Sequence, residues 1–493
     1  MKKVKLFSLV TMFLIGMIVF AACGNDNDNA PSTNDTQPPV VNNGTDSAGS
    51  SDVIEAGEGL PPMTTENISL SVMSWENYYL QRHLVDAFME RYPNITVELM
   101  FHPLYGYNES LLNLASAGQL PDVFWYLGNI TVPLENMWLG DISSFWNADP
   151  ETAYFPASLY SAGLVGDFRM ATPSKVLPFA FFLDRTVFER ANQPMPSLDW
   201  TWSEMIETAR RMTIPEEQIF GYYAFTQLHT TGPIVNQDAI GEFGWNGETF
   251  DFSGFADAIE IEQEFRRTGV WVPGGPEARE AAFGTYPIWP PSTGQLAMQK
   301  DAIWTANYFS TAAFVDRGID WVIYPMPRGD NARTNNKPAF IDFGGISSVT
   351  EHPREAYELL KWMGWGFDGW MARIEAYATL ENYLGYPVFP VAPDAVPILQ
   401  HPELQSAYRV LVPDTPEWHS FLNSVTSPVP LGASYIPGFE AFIQWMHEQD
   451  IFGSLYRGEQ RPHDIESYIT ENANRFVAEE TARIKQLLER HFR

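Results

Sequence analysis

Between Ile68 and Tyr126 the chain switches repeatedly between two hydrophobic periods, and this switching restricts the fold more than any other feature of the sequence. Ile68, Leu70 and Val72 alternate with polar residues, as in a strand with one buried face. Leu80, Leu84, Val85, Phe88 and Met89 then recur at helical spacing until Tyr92 and Pro93 end the pattern. Ile95, Val97 and Leu99 alternate again, and Leu111, Leu112 and Ala115 predict a second helix that Gly118 and Pro121 break. The run from Val123 to Tyr126 has the length and aromatic content of a buried strand. Strand, helix, strand, helix, strand is the order of a βαβ sheet with right-handed crossovers, so the predicted class is α/β.

Open α/β sheets hold ligands at the carboxyl ends of their strands. Trp75 and Glu76 follow the first predicted strand, and Trp125 and Tyr126 close the third, so these four are candidate ligand contacts. Rings at such positions can stack on the C–H faces of a sugar while carboxylates and amides bind its hydroxyls. The competing reading places each ring in the core, which is where most large aromatics go.

Further elements follow. Val176 to Leu183 predicts a second apolar strand, and Thr201 with Glu204 forms the pattern of a capping box before Met205 and Ile206. Gly221 to Phe225 reads as a strand, 234 to 255 as loop, and Phe255 to Arg266 as helix. Leu296 to Tyr308 contributes Trp304 and Asn307 as further candidate contacts, and Trp321 to Tyr324 is a short strand. Gly344 and Gly345 lie where a backbone could turn tightly or approach a ligand closely. Pro353 opens a helix whose Ala356, Leu359, Leu360 and Met363 share a face, and Phe476, Ile484, Leu487 and Leu488 mark a final amphipathic helix.

The amino terminus has a different character. Lys2, Lys3 and Lys5 precede an apolar run from Leu6 to Phe20, and Ala21, Ala22 and Cys23 follow, as at the cleavage point of a signal peptide. Cys23 is the single cysteine, which excludes an intramolecular disulfide. The segment FAAC resembles a bacterial lipobox, which implies removal of 1–22, lipidation of Cys23 and a membrane anchor on the extracytoplasmic face. Residues 23–66 are rich in Asn, Asp, Ser, Thr, Pro and Gly, and are predicted to form a disordered tether.

Charge and motif content exclude several functions. Sixty-one acidic against 30 basic residues give a formal charge of -31, which repels phosphate backbones and argues against nucleic acid and anionic membrane surfaces as partners. None of the nine histidines has zinc-site spacing, and no P-loop, dinucleotide fingerprint or GxSxG elbow is present, so no cofactor or metal is expected. Carboxylate pairs such as a glycosidase uses cannot be located from sequence; Glu76, Asp122 and Asp342 flank aromatic positions.

The ordered segments LSVMSW, LVDAFMERYPNITVEL, LASAGQLPDVFWY, VLPFAFFLDRTVFERA, WTWSEMIETARRMT, TGQLAMQKDAIWTANYF, WVIYPMPRG, FGGISSV and HPREAYELLKWM jointly resemble extracellular solute-binding protein family 1, the sugar-binding lipoproteins of ABC importers. The resemblance runs from about Ile68 to the end. It departs at AIWTANY, where many relatives carry a Gly-rich GSW, and across 234–294. The resemblance implies two α/β lobes around a ligand cleft, with crossovers near Pro178 to Leu183, Tyr324 to Arg328 and Gly364 to Met371. Lobe I would comprise 67–180 and 325–370, and lobe II 181–324 and 371–493. The implied protein is a non-enzymatic monomer that takes a carbohydrate to ABC permease subunits by hinge closure. The contact loops it implies contain Trp75, Glu76, Trp125, Tyr126, Trp304, Asn307, Gly344 and Gly345. The rival readings are a secreted polysaccharide hydrolase or lyase, a surface sensor on the same fold, and a binding protein for a peptide, polyamine or metal chelate.

Overall fold

The computed structural model describes residues 59–126, 128–284, 289–379, 382–383, 386–387 and 393–492. The expected signal peptide, Cys23, most of the tether and Leu127 lie outside the described residues. The predicted βαβ start is present as strand β1 (Ile68–Ser74), helix α1 (Tyr78–Arg91), β2 (Ile95–Phe101), α2 (Tyr107–Ser116) and β3 (Val123–Tyr126). β1 pairs in parallel with both β2 and β3, so Ser74, Phe101 and Tyr126 end on one edge of the sheet. The Asn77 side chain caps α1 by accepting from Tyr79 N and Leu80 N, and Leu80, Leu84, Val85 and Phe88 give it one buried face.

The next strand, β4 (Thr172–Asp184), is buried along its whole length. It is followed by α3 (Trp202–Arg211), β5 (Phe220–Ala224), α4 (Leu228–Asn236), α5 (Ser253–Thr268), β6 (Leu296–Ala302) and α6 (Thr305–Phe309). β7 (Trp321–Pro325), β8 (Lys337–Ile346), α7 (Pro353–Met363), α8 (Phe367–Thr379) and β9 (Pro428–Leu431) complete the frame, and α9 (Pro462–Phe492) is the final amphipathic helix. The capping box is made as the sequence predicts: Thr201 Oγ1 accepts from Glu204 N at 3.2 Å, and Glu204 Oε2 accepts from Thr201 N at 2.8 Å. Such a cap contributes about 1 kcal/mol to its helix.

These nine strands form one mixed sheet, in the order β2-β1-β3-β8-β4-β6-β5, with β9 against β8 and β7 against β4, and four short strands among the described residues form two separate pairs. Two strands serve both halves of it. β4 begins antiparallel to β8, from Thr172 opposite Gly344 to Pro178 opposite Ala339, and finishes antiparallel to β6 and β7. β8 starts beside β9 and ends antiparallel to β3. Along β4, Phe179, Phe181 and Leu183 enter a core with α3, β5 and β6, whereas Val176, Ala180 and Phe182 join the larger core containing β1 to β3.

Three segments depart from the sequence reading. The tether was expected to reach Thr65 or beyond, yet Leu60 and Met63 pack on the core, Arg354 Nε donates to Pro61 O at 2.8 Å, and Asn94 Nδ2 donates to Thr64 O. The region 234–255 is not a bare loop, because Phe243, Phe250 and Phe252 are buried against Phe255 and Phe439, and Trp245 is buried against Phe250. Finally, α8 packs on α1 and its Trp370 and Ile374 join the first core, so the chain after Met371 does not go directly to the second half. Among the described residues, no helix is long and apolar enough to cross a membrane.

Candidate functional site

The strands that serve both halves carry charge where their neighbours are apolar. Lys175 on β4 lies opposite Asp342 on β8, and Leu177 lies opposite Phe340, so the alternation of the strands puts all four on one face. Around Lys175 the fold collects groups from four distant segments. Its Nζ is 2.9 Å from Asp394 Oδ2 and 3.9 Å from Glu76 Oε1. Arg373 Nη1 donates to Glu76 Oε2 at 2.8 Å and its Nη2 to Met363 O at 2.9 Å. Tyr377 OH donates to Asp394 Oδ1 at 2.8 Å.

Two cations facing three carboxylates leave one acid in excess. Burial opposes the charge on Lys175, but Asp394, Glu76 and Asp342 outweigh it and raise its pKa. Burial likewise works against Arg373, and Glu76 holds it protonated. Asp342 carries the imbalance: burial pushes its carboxyl up to about 7, Lys175 opposes, and Glu76 and Asp394 add to the rise. Glu76 Oε1 makes no hydrogen bond among the described residues, so the cluster retains acceptor capacity.

The same face turns aromatic toward the second half. Trp304 stacks on Phe340 with centroids 5.5 Å apart and planes 7° from parallel. Phe225 stands edge-on to both rings, and Phe179 packs on Phe340 at 4.9 Å. Ile303 N donates to Pro178 O at 2.9 Å, which fixes the Trp304 turn against the crossing strand. Trp304 and Asn307 are half-buried. Trp75, half-buried at the end of β1, stands edge-on to Tyr107 at 4.8 Å.

The other sequence candidates sit elsewhere. Trp125 is 1% exposed and Tyr126 5%, because β3 is an inner strand covered on both faces. The Tyr126 ring stacks on Phe343, which stacks on Tyr435, and the Trp125 ring abuts Gly344. Both rings are core. Gly344 and Gly345 have ordinary strand backbone, and their smallness serves packing. A Cβ on Gly344 would lie 2.8 Å from Leu360 Cδ1, and one on Gly345 would lie 2.5 Å from Leu139 Cδ2. Neither glycine is a turn.

Of the sequence candidates, the structure places Glu76 in the charged cluster and Trp304 in the aromatic stack, whereas Lys175, Arg373, Tyr377, Asp394 and Phe340 were not among the candidates. A signal existed for Lys175 and Asp342, since a charge inside an otherwise apolar strand requires a buried partner. A cavity of about 380 Å³ opens away from this junction, lined by Trp202, Gln237, Asp257 and Asp330 among others, and no candidate residue reaches it.

The arrangement brings carboxylate acceptors, cationic donors and a stacked aromatic pair together at the junction of the two halves, with the charged members of the cluster largely buried. A family model described as bacterial extracellular solute-binding protein matches residues 74–364, more than half of the chain. No curated protein sequence matches. Among solved structures, the fold is similar to an ABC substrate-binding protein from Listeria monocytogenes in complex with cycloalternan, at 15% identity and a TM-score of 0.60, covering 83% of this chain and 99% of that one. It is similar to the sugar-binding protein MalE from Xanthomonas citri, at 16% identity and a TM-score of 0.59, covering 85% and 99%. It also resembles an ABC transporter solute-binding protein from Thermotoga lettingae bound with alpha-D-tagatose, at 16% identity and a TM-score of 0.56, covering 83% and 99%.

Proposed function

The chain belongs to the bacterial extracellular solute-binding protein family, and on that premise we propose that it captures an oligosaccharide outside the cytoplasm and delivers it to the permease of an ABC importer. The observation that carries this reading is the single face on which the Glu76, Lys175, Asp342, Arg373 and Asp394 cluster runs into the stacked Trp304 and Phe340 pair. Carboxylates and cations that are already paired can bind sugar hydroxyls without losing charge compensation, and the rings take the apolar C–H surfaces.

In this reading β4 and β8 are the crossovers, and rotation about Leu177 to Phe179 and Phe340 to Asp342 closes the second lobe on the first. Residues 67–180 and 325–370, together with α8, form lobe I; 181–324 and later segments form lobe II. Ligand that touches both lobes favours the closed state, which the permease reads. Cys23 carries the lipid, the tether sets the body off the membrane, and the protein acts as a monomer. No residue is assigned a catalytic role.

One observation favours an alternative. Asp342, pushed up to about 7 beside other carboxylates, has the protonation a glycosidase acid needs.

A thermal-shift screen of residues 59–493 against mono- and oligosaccharides tests both readings. A bound sugar at about 100 times Kd should add about 2.7 kcal/mol of stability. Trp304→Ala should weaken binding about tenfold, the scale of one lost aromatic platform. Recovery of intact sugar supports the receptor, cleaved sugar supports the hydrolase, and no shift with any sugar would remove the carbohydrate assignment.

A further inference from the structure

The carboxyl edge of β1 and β2 carries a run of aromatic side chains that the fold does not bury. Tyr79 is 69% exposed, Tyr78 44%, Phe101 42% and Tyr105 90%. Tyr79, Tyr78 and Phe101 form a connected row, and Tyr105 stands in the loop that follows Phe101. Tyr78 lies 5.7 Å from Tyr79 on one side and 5.7 Å from Phe101 on the other, each pair near perpendicular. A separate group lies in the same loops: His102 stands 6.3 Å from Tyr107, and Tyr107 4.8 Å from Trp75, between ring centroids. Trp75 precedes Glu76, a member of the buried cluster, so the loops that carry the exposed rings also carry residues of the junction.

Local structure does not require these rings. Asn77 already caps α1 through Tyr79 N and Leu80 N, and the buried face of that helix begins at Leu80. Tyrosine at the two preceding positions adds no helix propensity over the commoner formers. Contiguous exposed aromatics on a soluble protein mark a surface that is covered by something else.

Charge identifies what covers it. Residues 92–119 contain no Lys or Arg, and the two arginines of α1 are Arg82, paired with Asp86, and Arg91, over the Tyr92 ring. With a net charge of -31 on the chain and Arg82 committed to Asp86, the ledge formed by the described segments that carry these rings is poorly suited to phosphate, sulfate or anionic lipid. Flat rings carrying hydroxyls, without positive charge, fit a neutral glycan chain.

We propose that Tyr78, Tyr79, Phe101 and Tyr105 form an outer binding surface for the part of a neutral oligosaccharide that projects from the cleft, so that the protein selects longer chains over shorter ones. This rests on the carbohydrate reading above. Each added sugar unit that reaches the ledge stacks on another ring, whereas a short ligand held at Trp304 and Glu76 never touches it.

The test is calorimetric titration of the wild-type protein and of the Tyr79→Ala/Tyr105→Ala variant with neutral glucan and xylan oligosaccharides, from disaccharide to octasaccharide. Both replaced rings are exposed, so the variant keeps its fold, which its unfolding transition checks. The wild-type affinity should rise with chain length, and the variant should lose about tenfold for long chains while matching wild type for short ones. Equal wild-type affinity at every length, or an equal loss at every length, would overturn the proposal. Binding of short sugars alone by both proteins overturns the ledge but keeps the carbohydrate reading; binding of no sugar by either overturns both. Vesicles of zwitterionic and anionic lipid serve as the remaining probe, and Tyr79- and Tyr105-dependent binding to them in place of glycan would reassign the surface to membrane.

Discussion

Arg373 Nη1 and Glu76 Oε2, 297 positions apart in sequence, meet at 2.8 Å in the protein interior. The contact joins α8 to the loop after β1, and through Lys175 it reaches the strand that crosses between the two halves of the sheet. It adds a buried ion pair to the contacts that tie the C-terminal third of the chain to the first βαβ unit, among them the pairing of β8 with β3.

Removing one member of that pair should be costly because the other stays buried and charged. Arg373→Met leaves Glu76 with only the 3.9 Å contact to Lys175 and should destabilise the protein by about 3–5 kcal/mol. The double variant Glu76→Gln/Arg373→Met should recover much of that loss, since no isolated charge remains. Denaturant unfolding of the two single variants and the double gives the coupling directly; a cost for Arg373→Met below about 1 kcal/mol would contradict the pairing.

The pH dependence follows from Asp342. Its folded-state pKa of about 7 lies above its ordinary value of 3.8, so between those limits the native state binds a proton that the unfolded chain has released. Stability from this group is therefore present at low pH and falls as pH rises from about 4 to about 7, after which it is level. Glu242 and Asp301, raised to about 7 and about 6 by burial, contribute in the same direction. Asp342→Asn should flatten the decline without abolishing it and should raise stability at pH 8 more than at pH 5. Unfolding curves of wild type and variant at those two values measure the difference.

Tyr126 provides a test of its core assignment. Its hydroxyl is buried and has no hydrogen-bond partner among the described residues. Tyr126→Phe keeps the stack on Phe343 and should be neutral or stabilising by up to about 1 kcal/mol. Sugar affinity should not change. A clear loss of affinity in this variant would return the ring to the ligand surface.

Much of the fold is legible in the sequence because its elements declare their period. The alternation at Ile68, Leu70 and Val72, the helical spacing from Leu80 to Phe88, and the Thr201 and Glu204 capping box are local signals, and each appears in the structure where those residues predict it. The family match over residues 74–364 takes in the helix from Leu80 to Phe88 and the Thr201 and Glu204 capping box, and begins just after the alternating strand residues. Loop-like composition misleads at 234–255, where Phe243 and Phe250 pack on Phe439, far along the chain, and Trp245 packs on Phe250.

The site was less legible, for two physical reasons. In the strand VFWY all four side chains are buried, so no alternation distinguishes a ring that faces a ligand from one that faces a helix, and the exposure of Trp125 is set by which strands flank it. The charged cluster depends on register: only the antiparallel pairing of β4 with β8 places Lys175 opposite Asp342, and only the packing of α8 on α1 brings Arg373 to Glu76. The sequence by itself determined the elements, the leader pattern and the acidic surface, because these depend on near neighbours or on totals. Tertiary structure alone decided which side chains share the junction, because that depends on contacts between residues hundreds of positions apart.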